Sequence, residues 1–115
     1  MPIDVDAMIG NADADFPALY QLFGGYFHQD WTLEYAAWTE AADNFVIEAP
    51  PHLRADAVTE IARILAARLD EDVLGRLLYP GLQCNMVPGA LGLGYAEWLT
   101  ALGQRLNSPP TLSPN

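Results

Sequence analysis

The chain contains no lysine. That removes the P-loop ammonium, the Schiff-base amine and the flexible phosphate clamp together. Cys84 is the one cysteine, so no internal disulfide can form, and a lone thiol fits a reducing compartment. Ser108 and Ser113 are the only serines, both in the C-terminal stretch NSPPTLSPN, a poor place for a positioned nucleophile. The two histidines, His28 and His52, show no HxxxH spacing, and neither CxxC nor a DxDxDG calcium loop is present. No metal site or other cofactor is therefore expected. No run approaches the roughly 18 apolar residues of a membrane helix. The start, MPIDVDAMIG, carries acids where a secretory leader carries basic residues. The expectation is a cytoplasmic chain that does not engage a membrane.

Positive charge is scarce as well: five arginines stand against fifteen carboxylates, a net charge of −10. Residues 1–49 hold Asp4, Asp6, Asp13, Asp15, Asp30, Glu34, Glu40, Asp43 and Glu48 and no basic side chain; all five arginines follow residue 50. Such a surface cannot neutralise phosphates, which argues against nucleic acid as a partner. It suits a basic protein, although a solvated acidic face that aids solubility is the plainer use of the same charge. Apolar residues make up 51% of the chain, somewhat rich for one small domain. That surplus points to a partner surface or self-association, so a homodimer stays open.

Periodicity divides the chain into an acidic loose arm at 1–14, a single helical domain at 15–106 and a disordered Pro/Ser-rich tail at 107–115. Phe16, Leu19, Tyr20 and Phe23 recur at helical spacing, with Asp15 as the expected N-cap, Pro17 in the first turn and Gly24–Gly25 as a left-handed stop. A second helix is predicted from Leu33 or Glu40 to Ala49, capped by Thr32 or Thr39, with Trp38, Ala41, Ala42 and Phe45 inward. A third, over 52–69, turns Ala57, Val58, Ile61, Ile64, Leu65 and Leu69 inward. Asp70 can cap a short helix in EDVLGRLLY. LQCNMVPGALGLG reads as a flexible glycine-rich loop whose G-x-x-G-x-G order does not match a phosphate loop. A last helix runs from Tyr95 to Leu106, although no polar cap precedes it. No segment shows sustained strand alternation. The fold class is thus all-α, a small bundle of four to five helices, mostly antiparallel.

One stretch stands apart: FGGYFHQDW, comprising Phe23, Gly24, Gly25, Tyr26, Phe27, His28, Gln29, Asp30 and Trp31. A His28–Asp30 pair could serve as general base, with Cys84 as a conceivable nucleophile, but no local signature supports that triad. Aromatic rings after a glycine pair also plug the end of a helical bundle, and a structural corner is the reading the residues favour.

FPALYQLFGGYFHQDW, Phe16–Trp31, resembles the opening of the CdiI-type immunity proteins of bacterial contact-dependent growth inhibition systems. Their members begin with a similar F-x-x-L-x-x-x-F-G-x-Y-F-H-Q-D-W run. TEAADNFVIEA, PPHLRADAVTEIARILAARL, DEDVLGRLL and YAEWLTAL resemble the helices that follow, so the likeness spans about residues 16–106. The resemblance implies a cytoplasmic protein without catalytic residues that binds and neutralises the C-terminal domain of a cognate toxin, often a nuclease. The residues themselves offer a binding patch on the second helix. With Trp38 at the centre of the buried stripe, Ile47 falls at about 180°, flanked by Glu40 and Asp43 at roughly 200° and 140°. Asp30, Glu34, Glu40, Asp43, Ile47 and Glu48 are the candidate toxin-binding residues. The rival readings are a regulatory or adaptor module for another basic protein, and a minimal enzyme using His28 and Asp30.

Overall fold

The computed structural model describes residues 4–107; their regular structure is all helical, with no strand among the described residues. In chain order the helices are α1 (Val5–Gly10), α2 (Ala12–Asp15), α3 (Pro17–Tyr26), α4 (Trp31–Glu34), α5 (Trp38–Glu48), α6 (Pro51–Ala66), α7 (Glu71–Arg76) and α8 (Tyr95–Asn107). A π-type turn, Leu77–Gly81, and a 3₁₀ turn, Pro88–Leu91, lie between the last two. Four or five helices were expected and eight are present among the described residues. Only α3, α5, α6 and α8 reach ten residues. These four carry the long apolar stripes; the other four are single turns or little more. No helix among the described residues is long and apolar enough to cross a membrane.

The expected loose arm differs most. Asp4 accepts the Ala7 N–H at 3.1 Å and caps α1. Ala12 in α2 is fully buried, and α1 and α2 pack against the Leu77–Gly81 turn. Arg76 adds exposed ion pairs to Asp6 at 3.6 Å and Asp72 at 3.8 Å. Residues 1–3, and all of the expected tail beyond Asn107, lie outside the described residues.

The core gathers around Trp98. Its ring, fully buried, lies 6.0 Å from Phe23, 5.5 Å from Phe27 and 5.9 Å from Trp38, the last two nearly perpendicular to it. Its indole N–H has no hydrogen-bond partner among the described residues, and its ring is packed among these aromatic side chains, which can act as weak acceptors. Leu19, Leu22, Phe45, Leu99 and Leu102 complete the centre. Helix α6 packs on α8 and α3, and α5 packs on α8.

Several expected caps are not used. Asp15 ends α2, and the N-cap of α3 is Phe16, which has no side-chain acceptor. Glu60 supplies it from α6. One carboxylate oxygen accepts the Leu19 N–H at 2.9 Å and the other the Ala18 N–H at 3.2 Å, with the residue only 6% exposed. The stripe predicted for α6 therefore omitted its most constrained side chain. Helix α8 is capped the same way. Glu71 of α7 accepts the N–H groups of Tyr95 at 2.6 Å and Ala96 at 3.1 Å, while Glu97 accepts that of Gly94 at 2.8 Å. A Cβ on Gly94 would sit 3.0 Å from the Glu71 carboxylate, so glycine is what lets that side chain approach. Asp70 does cap α7, accepting the Val73 N–H at 2.9 Å.

Glu60→Ala leaves two buried N–H groups without an acceptor at the positive end of α3. It should cost about 2–3 kcal/mol. Glu71→Ala, in a more solvated site, should cost about 1 kcal/mol. Urea unfolding midpoints of the two variants check both the values and their order.

Candidate partner-binding site

FGGYFHQDW folds as a corner. Both glycines stay helical inside α3, which runs on to Tyr26, so the expected left-handed stop does not form. Phe23 and Phe27 are fully buried. Phe27 meets Trp31 edge to face at 5.6 Å, and Trp31 is half-buried. His28 does not pair with the Asp30 carboxylate. Its Nδ1 accepts the backbone N–H of Asp30 at 3.1 Å, which assigns the ring proton to Nε2, 3.2 Å from Glu34 Oε1. The side chain thus ties the corner to the one-turn helix α4.

Three of the predicted site carboxylates converge after that turn. Glu40 reaches back from α5 to accept the Ala36 N–H at 2.7 Å; neither Thr32 nor Thr39 is the cap, since Ala37 takes that position. Glu48 accepts the Tyr26 hydroxyl, and the Tyr26 ring stacks on Tyr35 at 6.3 Å. Burial, and then the negative charges of Glu34, Glu48 and Glu40, raise the pKa of Tyr35. The rise at Tyr26 comes from burial first and then from Glu48. Both phenols therefore stay neutral at physiological pH. Asp30 is exposed at the N-cap position of α4, and Ile47 is 58% exposed on α5, next to Glu48 in the chain.

Asp43 is the exception among the predicted residues. Its two oxygens accept Arg105 Nε at 2.8 Å and Nη2 at 2.7 Å, a fork joining α5 to α8. Its charge is matched within the fold, so reversing it would place two cations together and disturb packing as well as any partner.

The residues that sequence reasoning missed lie on the far side of α4. Leu82, Cys84, Met86 and Pro88 are buried in alternation with Gln83, Asn85 and Val87, so the expected flexible loop is an extended segment lying on the core. The Asn85 N–H donates to the Phe27 carbonyl at 2.8 Å and the Cys84 N–H to Leu78 at 2.9 Å. Alternation in L-Q-C-N-M was the available signal. Gly92, at φ +76°, ends the 3₁₀ turn in the left-handed region. Between this segment and α4 opens a groove of about 390 Å³. It is lined by Trp31, Thr32, Ala36–Trp38, Asn85–Val87, Ala90 and Leu91, none of them charged.

Cys84 is 2% exposed, its sulfur facing the Met86 carbonyl at 4.0 Å, and burial pushes the thiol up to about 12. Among the described residues no three His, Cys, Asp or Glu side chains cluster to hold a metal ion.

Compared with known proteins, the sequence pattern of the CdiI immunity protein family matches residues 15–106. The fold is similar to a chain in the crystal structure of the CdiA-CT/CdiI complex from Y. kristensenii 33638. The TM-score is 0.76 at 25% identity, covering 81% of this chain and 99% of that one. No curated protein sequence matches this chain.

Two outcomes follow from the geometry. A double-mutant cycle on Asp43→Ala and Arg105→Ala should give a coupling of about 1 kcal/mol or less, because the pair is partly solvated. Cys84 should resist thiol reagents at pH 8 until urea unfolds the chain. Its folded pKa, about 12, exceeds the ordinary 9.0, so its contribution to stability is intact below pH 9 and is lost as pH rises toward 12. Urea midpoints at pH 8 and pH 10 should therefore fall less in Cys84→Ala than in the parent.

Proposed function

The chain belongs to the CdiI immunity protein family, and from that premise we propose that it binds the C-terminal domain of a cognate contact-dependent growth inhibition toxin and neutralises it. The observation that carries this reading is the family match over 15–106, joined to the likeness to a chain solved within a CdiA-CT/CdiI complex. Residues 15–106 are the immunity domain in this proposal. Inhibition is by occupancy, in the cytoplasm, with no bond made or broken by the immunity protein.

The finer part of the proposal is electrostatic. The toxin is a nuclease whose phosphate-binding cleft is basic, and the acidic surface of this chain is its complement. Asp30, Glu34, Glu40 and Glu48, with exposed Ile47, form the approaching face. These four carboxylates have no arginine partner among the described residues, whereas Asp43 is matched by Arg105. Asp43 enters only by fixing α5 on α8.

The test is calorimetry and stopped-flow binding between this protein and the toxin C-terminal domain encoded beside it. Tight one-to-one binding that weakens between low and high salt is expected. Neutralising Asp30→Asn, Glu34→Gln and Glu40→Gln together should slow association several-fold, on the order of 5–10-fold, with little change in dissociation. No binding at low salt would sink the toxin reading and return the chain to an adaptor of another basic protein.

A further inference from the structure

We propose that the groove between α4 and the Asn85–Leu91 segment seats an apolar side chain of the toxin domain, carried on a strand or loop whose neighbouring Arg or Lys reaches the carboxylates beside Tyr35. This rests on the immunity reading above and adds to it the short-range anchor that charge alone does not supply.

Three features of the surface support it. Val87 and Leu91, both lining the groove, are 58% and 55% exposed, so half or more of each apolar side chain is wet. The floor is made of core-anchored residues: Trp31 rests on Phe27, Trp38 on Trp98, and Met86 is buried. A rigid apolar pocket of this kind is where interface energy concentrates. The rim is acidic. Ala36 lines the groove while its N–H is held by the Glu40 carboxylate; Glu34 ends α4, and Glu48 reaches the Tyr26–Tyr35 stack next to it. An apolar floor flanked on one side by carboxylates has a basic partner as its complement. It disfavours a second copy of this chain, since two such rims would face each other at a net charge of −10 apiece.

The experiment compares the parent protein, Val87→Glu/Leu91→Glu and Ala90→Arg for binding to the toxin domain encoded beside the gene, at two salt concentrations. All three positions are exposed, and thermal melts of each variant confirm that the fold is kept. Both variants should weaken binding roughly thirtyfold or more through faster dissociation. The two added carboxylates should speed association somewhat and steepen its salt dependence, so a loss of affinity that lies wholly in dissociation sets this effect apart from that of rim neutralisation. Parent-like affinity in both variants, with the parent binding tightly, would overturn the groove and leave the immunity reading standing. No binding by the parent would overturn both. A parent dimer that either variant splits, seen by light scattering, would give the groove to a second copy and overturn the toxin side chain as its occupant.

Discussion

Glu60 holds two backbone N–H groups at the start of α3 from a position on α6 that is almost closed to water. An isolated carboxylate there would be strongly unfavourable. Two charge-assisted hydrogen bonds and the positive end of α3 offset that cost, and they do so only when α3 and α6 meet in one orientation. That orientation sets where Phe23 and Phe27 fall on Trp98. The Phe27 carbonyl then receives Asn85, which fixes the segment forming one wall of the groove. A contact deep in the fold thereby determines the shape of a surface it does not touch.

The same device recurs at α8, where Glu71 supplies a cap that the preceding Val87–Gly94 stretch lacks. Read along the chain, the acidic excess is therefore not one thing. Asp4, Glu60, Asp70 and Glu71 satisfy helix N-termini, and Asp43 is neutralised by Arg105. These carboxylates would be needed in a protein with no partner at all. Glu34, Glu40 and Glu48 differ in kind. Each accepts a hydrogen bond locally, yet among the described residues no arginine answers their charge. Their proximity to one another raises the local potential beyond what any of them would create alone.

The all-α class and the long helices were legible because their apolar residues recur every three or four positions: Ala57, Ile61 and Ile64 in α6, and Trp98, Leu99, Leu102 and Leu106 in α8, all are buried. What sequence could not show is what joins distant positions. Glu60 looks like a solvent-facing acid on an amphipathic helix, because nothing local reveals that α3 lacks its own cap. Asp43 looks like an outward charge until Arg105, 62 residues away, is placed beside it. Glycine count made LQCNMVPGALGLG look loose, although its first half carries a two-residue alternation that its burial follows. Glu40 and Asp43 stand out by position on a helix wheel, and a wheel has no access to a groove built from three separated segments.

Charge and shape have different duties in such an inhibitor. A net charge of −10 acts over about 10 Å of salt solution and draws in any basic surface, so it sets the speed of encounter and discriminates poorly. Discrimination has to come from contacts made after water is expelled, where a wrong side chain leaves a void or an unpaired polar group. The exposed groove positions Thr32, Ala36, Val87, Ala90 and Leu91 can be exchanged without disturbing Trp98 or the Glu60 cap beneath them. The helical frame can thus stay constant while the recognition surface changes. In a domain this small, the capping carboxylates that hold the fold, buried Glu60 above all, and the exposed apolar residues of the groove are different residues, so either set can change without the other.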